Sequence, residues 1–472
     1  MAARVVIVGA GPVGLATAML LARDGLEVTV LEKDAHPTPA TVLEAWERWE
    51  RGGVAQFRQF HFMQARFRHL LDAEFPEVRD EIVALGGRRF SLIEALPRSL
   101  ADRSPREGDD RFETITGRRP LLECAFARVA ERTPGVTIRR GVGVDSPITG
   151  RSVLPGVPHV VGVRAQDGAE IGANLVIDAM GRRSKLTDWV TALGGQAPYE
   201  EASDVGFAYY TRHYCSRDGS LPEMRGPIGA IVGSIRAMTA PADNNAWIVG
   251  IAALAGDRPL KALRYNSVWE RVARAVPHMA PWLDGEPLCD VAPMAGVLDR
   301  YRRIIVDGQP VVTGLLPVGD SWACTNPMAG RGFSLGLAHA IALRDALRAV
   351  PEHPARLAEA FDHLTEETLT PWYREQMNRD YQMAGEVQAI IAGRAPTPPS
   401  EDPAIQMRRA FPAAAASDPD VARAAFDVFS CLALPTEIMS RPGMREKVAA
   451  YIGAEPPPTP GPSREELLAL VS

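Results

Sequence analysis

Six residues constrain this chain more than any others: Gly9-Ala10-Gly11-Pro12-Val13-Gly14. They follow a short apolar run rich in β-branched residues, 4–8 (RVVIV), which reads as a buried strand. They open an almost wholly apolar segment, Val13 to Arg23, which reads as a buried helix ended by Gly25. Val28–Leu31 then reads as a second strand. The pattern is GxGxxG between strand and helix. The first glycine permits the tight turn, the second lets a pyrophosphate reach the backbone, and the third lets helix and strand pack closely. The phosphates would sit on the helix N-terminus, where free N–H groups and the dipole favour an anion. Val5 to Ala22 carries no charge and superficially resembles a targeting or membrane segment. Its glycines and Pro12 resolve it instead as strand, turn and helix.

A lone GxGxxG is weak evidence, but here Ala18, Leu21, Gly25 and Val28 also fall at packing positions, and Glu32 ends the second strand. A carboxylate there can accept from the ribose hydroxyls of an adenosine and would repel a 2′-phosphate. The site therefore suits FAD or NAD rather than NADP. Two distant segments separate those. One is Val176 to Arg182, with Asp178 at a strand end. The other is Leu316-Pro317-Val318-Gly319-Asp320, then Asn326-Pro327 through Gly330 and Gly332 into a long helix, Gly332–Val350. An aspartate at the second strand end can accept from a ribityl chain. A helix N-terminus beside it can stabilise negative charge on a reduced flavin ring. NAD needs neither, so FAD is the expected cofactor.

The remaining organisation is coarser. Residues 41–75 read as helical, 98–112 as a charged loop, and Arg119–Arg132 as a helix with Leu122, Phe126 and Val129 on one face. Strand patterns follow at Val136–Val144, Val160–Gln166 and Glu170–Asp178, the last two joined by an Asp167-Gly168 turn. Val205–Tyr214, Gly229–Ala237 and Ala246–Leu254 suggest a second, antiparallel sheet, and Val311–Val318 another buried strand. Past 350 the chain is proline-rich and helical, which predicts a wrapping cap, with 455–462 a stiff mobile linker to a last short helix. The expected fold is α/β with an α+β second domain. A Rossmann-like FAD-binding domain (1–75, 110–185 and 306–350) interleaves with an antiparallel-sheet substrate domain (76–109 and 186–305), and a helical C-terminal cap covers 351–472.

The net charge of −6 argues against a nucleic-acid surface. Five scattered cysteines without a CxxC pair, and nine histidines without HxxxH or HExxH spacing, argue against a disulfide framework or a metal site. A reducing cytoplasm is the simple expectation, with no transmembrane segment.

With these motifs in hand the chain resembles the FAD-dependent monooxygenases of the para-hydroxybenzoate-hydroxylase-like fold, over about residues 4–350. The resemblance rests on the glycine loop with Glu32, a "DG" segment at Asp178 and a "GD" segment at Gly319-Asp320. Arg119-Pro120-Leu121-Leu122-Glu123 is similar to the family's RxxLE helix start. It implies that Gly9, Gly11, Pro12, Val13, Gly14, Glu32, Lys33, Arg119, Asp178, Gly319, Asp320, Pro327, Gly330 and Gly332 hold FAD. Gly53-Val54-Ala55-Gln56 with Arg58 and His61, and Asn326-Pro327, resemble the polyether-type epoxidase branch. The DG motif reads Asp178-Ala179, and Ala323 stands where the hydroxylases usually carry a histidine.

The resemblance implies oxygen insertion from O₂ into an apolar organic substrate, by epoxidation or hydroxylation, through a C4a-(hydro)peroxyflavin, in secondary metabolism. NAD(P)H would supply electrons directly or through a flavin reductase. No second GxGxxG provides a nicotinamide domain, and Arg182 and Arg183 could receive a nicotinamide phosphate. Phe207, Tyr209 and Tyr210 are candidate pocket walls, and His61 is a candidate catalytic or flavin-contacting group. A flavin-dependent alkene reductase or dehydrogenase is the alternative, and a non-catalytic flavin-binding scaffold a further one. Halogenases of this fold add a WxWxIP motif and a catalytic lysine early in the chain. Here no two tryptophans lie at i, i+2, and no lysine lies between Lys33 and Lys185.

Overall fold

The computed structural model describes residues 3–224, 226–394 and 401–472. Its first layer is a parallel sheet in the order Leu315–Pro317, Leu175–Asp178, Arg4–Val8, Glu27–Glu32, Val136–Arg140. These strands read as continuous apolar runs because helices cover both faces. The glycine-loop helix, Pro12–Arg23, is buried nearly all round between Gly332–Ala349 and Arg119–Arg132. It begins at Pro12, one residue earlier than its apolar pattern, because proline at the first helical position costs no hydrogen bond. Register aligns Val8 with Leu31 and Asp178, and Pro317 with Asp178. The strands' carboxyl ends thus bring Gly9, Glu32 and Gly319 to one edge, where an open α/β sheet binds ligands.

The second sheet is antiparallel, with Gly229–Val232, Ile235–Pro241, Ala246–Leu254 and Phe207–Cys215 adjacent in that order. One face packs on Leu263, Trp269 and Trp282. The other, carrying Tyr209, Met238 and Ala252, meets the cap and the Trp322–Met328 segment. Arg118 joins the layers: its guanidinium and backbone N–H both bond Asp243, in the loop before Ala246, with Nη2 at 2.7 Å. No described helix is long and apolar enough to cross a membrane.

Several element expectations change. The 136–144 run breaks at Gly141 (φ 72°), so Val144–Thr149 joins a separate small sheet with Val160–Ala165. Likewise Glu170–Gly172 stays in that sheet, whereas Leu175–Asp178 joins the parallel one. The Gly229–Ala237 segment is a hairpin turning at Gly233 (φ 54°). Val311–Val318 keeps only Leu315–Pro317 as strand, after Gly314 at φ 74°. Residues 41–75 hold only two helices, Val42–Glu47 and Ala65–Glu74, with turns between. Pro76–Ala84, expected with the substrate domain, buries Val78 and Ile82 in the parallel-sheet core instead.

The cap is helical in its described part; 395–400 lie outside the described residues. Five of its prolines, Pro354, Pro371, Pro403, Pro419 and Pro435, sit in first turns and start helices, whereas Pro412 lies inside the helix Pro403–Ala415. The final helix, Arg464–Val471, is no free appendage. Leu467 is fully buried against the Trp269 core, and Arg464 pairs with Asp257 at 2.6 Å.

Candidate active site

A long cleft runs along the carboxyl edge of the parallel sheet. Its inner end is lined by Gly9, Glu32, Lys33, Arg51, Gln56 and Lys185. Its outer compartment lies between the glycine loop, the start of Gly332–Ala349 and the antiparallel sheet. Gly11, Arg119, Gly181, Arg182 and Asp320 line both parts, so the two are continuous.

The glycines divide their roles. Gly9 sits at φ 111°, and a Cβ there would be 2.6 Å from the Ala179 carbonyl oxygen. A Cβ on Gly14 would lie 2.2 Å from the Gly9 carbonyl oxygen. A Cβ on Gly11 would meet nothing within 4 Å, so Gly11 faces open space. The helix behind it has no side-chain cap and no acid in its first turn, which leaves its N–H groups free for a diphosphate. Gly332–Ala349 likewise starts with neither cap nor acid. Pro327, Gly330 and Gly332 line the outer compartment beside it. Two unsatisfied helix N-termini on one cleft would suit an FAD, the first able to receive its diphosphate.

Glu32 is buried, and it already accepts from the N–H groups of Ala10 and Asp34, both at 3.0 Å, and from Arg51. A carboxylate can accept about four hydrogen bonds, so Oε1 keeps room for a ribose hydroxyl. Sequence reasoning missed Arg51. Its guanidinium lies 3.1 Å from Glu32, 3.1 Å from Asp34 and 3.3 Å from Glu123, and it stands over the Trp49 ring. Three carboxylates hold it firmly protonated despite burial. An isolated arginine in a turn gave no signal in the sequence.

Asp178, expected to face the flavin, does not line the cleft. It is fully buried and accepts from Met180 N–H at 2.9 Å, from Ser321 Oγ at 3.0 Å and from Ser184 Oγ. Burial pushes its pKa up against the pull of those donors. It latches the DG segment to the GD segment. His339, also missed, buttresses the GD turn: Nδ1 accepts from Gly319 N–H at 3.1 Å, and Nε2 faces Thr365 at 3.2 Å. Burial lowers its pKa to about 3, so it stays neutral. Asp320 itself lines the cleft, 3.9 Å from Arg182.

His61 lines the outer compartment with Nδ1 on the Gln59 carbonyl at 3.0 Å and Nε2 3.5 Å from Arg119. Burial and the Arg119 charge lower its pKa to about 3. It is therefore neutral near pH 7 and orients Arg119 instead of carrying a proton. Arg119 is held from the other side by Glu123 at 2.7 Å. The three aromatic wall candidates are misplaced. Tyr210 faces the Trp269 core, Phe207 packs on the opposite face, and Tyr209 bonds Asn326 beneath the cleft floor. Strand alternation puts Tyr209 and Tyr210 on opposite faces. The sheet's contribution to the cleft comes from Gly229, Arg236 and Met238 on the strands beyond Ala246–Leu254, and from Met294, whose short strand pairs with Phe207–Cys215. Arg182 spends its guanidinium on the Leu298 and Thr325 carbonyls, while Arg183 stays exposed at the inner end.

Residues 2–64 match the model of the FAD binding domain. Protein Rv3254 of Mycobacterium tuberculosis is 27% identical over 452 residues, covering 90% of this chain and 89% of that protein. A solved structure of pqsL, a probable FAD-dependent monooxygenase from Pseudomonas aeruginosa, superposes at TM-score 0.60. Its identity is 15%, over 83% of this chain and 99% of that one. The flavin-dependent brominase Bmp2 superposes at TM-score 0.61 with 15% identity, over 95% and 98%. At such identities the structural likeness establishes the fold.

Proposed function

We propose, from a chain that carries an FAD-binding domain within the para-hydroxybenzoate-hydroxylase-like fold, that it is an FAD-dependent monooxygenase inserting one oxygen atom from O₂ into a largely apolar organic molecule. The observation that carries this reading is the convergence of two uncapped helix N-termini on one cleft whose outer compartment is walled by apolar side chains. Gly11, Glu32, Arg51 and Arg119 would hold the cofactor, with Asp320 at its ribityl chain. Bound FAD, once reduced, supplies the activation of oxygen. The start of Gly332–Ala349 offers the positive end of its dipole to negative charge on the reduced ring. Phe60, Met238, Met294 and Leu335 would give the outer compartment an apolar wall that limits water beside a bound flavin. No proton-carrying dyad lines the compartment among the described residues: His61 is neutral and Asp178 is sealed away.

Epoxidation of a polyketide or terpenoid alkene is the finer reading, supported by the Gly53–Gln56 turn and by Asn326-Pro327, of which the turn and Pro327 border the cleft. A cytoplasmic setting with NAD(P)H as electron source, directly or through a flavin reductase, completes the proposal. Lys33 and Lys185 both border the inner end and no lysine lines the outer compartment, which weighs against a halogenase relay despite the likeness to Bmp2. The test supplies NADH or NADPH to the FAD-loaded protein, with and without a flavin reductase, under isotopically heavy O₂ and a panel of alkenes and arenes. Products carrying one heavy oxygen are expected. Alkene reduction that proceeds without oxygen would contradict the proposal.

A further inference from the structure

Among the polar groups lining the outer compartment that the chemistry above leaves unused, Arg236 is a cation facing the cleft. Arg236 enters from the strand Ile235–Pro241, one side-chain position along the cleft face from Met238. It crosses Gly229 on the adjoining strand, where a Cβ would stand 2.9 Å from Nη2 and 3.0 Å from Nε. Any side chain at that position would push the guanidinium from its present path. The Arg236 Nε is sealed from solvent without a hydrogen-bond partner. Among the described residues the guanidinium makes one hydrogen bond, from Nη1 to the Met383 thioether at 3.5 Å, a weak acceptor.

The surrounding charges do not neutralise it. Among the described residues no carboxylate pairs with Arg236. Arg331 is paired with Glu375, and Arg379 adds a further positive charge nearby. Asp380 is the nearest acid acting on it electrostatically, and burial pushes that acid up to about 7. Burial lowers Arg236 only to about 10, so it stays charged at neutral pH. A half-buried cation without a partner anion is poorly satisfied until a ligand completes it. Ile228, Met238, Met294, Leu335 and Phe429 supply the apolar remainder of the wall.

We infer that Arg236 anchors an acidic oxygen on the substrate, which is an otherwise apolar molecule bearing one carboxylate or enolate group. The inference rests on the outer compartment being the substrate site, and it deepens that reading by naming the substrate class. The planar donor fork of the guanidinium suits a two-oxygen acceptor and fixes the apolar body in one orientation.

Calorimetric titration of the FAD-loaded protein with naphthoate and with naphthamide tests this, because the two probes share shape and differ in charge. Naphthoate is expected to bind about ten-fold more tightly or better, the effect of one charge-assisted hydrogen-bonded contact. Arg236→Gln should bring the acid down to the level of the amide, and Arg236→Lys should keep part of the preference. Flavin content and visible absorption of both variants should match the parent, which separates loss of the anchor from misfolding. Equal binding of the two probes, no binding of naphthoate, or unchanged naphthoate binding in Arg236→Gln would each overturn the inference. The readout does not involve turnover. Failure of the heavy-oxygen experiment together with an acid preference here would therefore sink the monooxygenase reading while leaving the anchor standing.

Discussion

Single residues in this protein do work that only their surroundings reveal. Glu32 was legible because strand, loop and acid occur at fixed offsets. Arg51, which ties Glu32 to Asp34 and Glu123, was not, since nothing local marks an arginine whose partners lie on three segments. Arg51→Ala should cost about 3–5 kcal/mol in urea unfolding, because three carboxylates lose their cation. Lysine at that position should restore only part of the loss, because it lacks the fork geometry. Asp380 gives a pH prediction. Its folded pKa is raised to about 7, so the folded state binds a proton more tightly than the unfolded one. Its contribution to stability is present in acid and lost as pH rises from about 4 through about 7. Asp380→Asn should therefore flatten the fall in stability across that window and stabilise the protein relative to the parent at pH 8. An unchanged profile, measured by urea midpoints at several pH values, would contradict the assignment.

At the scale of elements, patterns with a strict physical period carried over well. Ala246–Leu254 and Arg119–Arg132 have the same bounds in the sequence pattern and in the structure. Segments interrupted by a glycine with positive φ did not, as at Gly141 and Gly233, because an apolar run looks alike on either side of a turn. Tyr209 and Tyr210 show a related limit: composition marks an aromatic strand, but which face meets the cleft depends on sheet pairing. The glycine-loop helix offers a clean pair of substitutions. Gly14→Ala places a methyl group against the Gly9 carbonyl and should destabilise the fold by about 1–3 kcal/mol. Gly11→Ala meets open protein space at φ −74°, so stability should stay within about 0.5 kcal/mol while FAD affinity falls sharply. Thermal unfolding and flavin titration of the two variants distinguish a packing glycine from a ligand-facing one.

The whole molecule joins a parallel-sheet layer carrying the glycine loop, an antiparallel sheet and a helical cap around one cleft. The glycine loop predicted the first of these. The cap's helices were less legible, since prolines such as Pro354 and Pro419 read as breaks until the structure places them in first turns. The tail is part of this construction: Leu467→Ala should cost about 2–5 kcal/mol through the cavity it leaves beneath Trp269, yet leave flavin binding intact. The central claim is that the cleft along the parallel sheet is an FAD site assembled from Gly11, Glu32, Arg51 and Asp320. Its most direct test is a flavin titration of the purified, flavin-stripped protein, read by visible absorption and followed by identification of the bound nucleotide. One FAD per chain should bind, with affinity lost in Gly11→Ala. A protein that stays colourless with excess FAD, or a Gly11→Ala variant that binds FAD as well as the parent, would contradict the account.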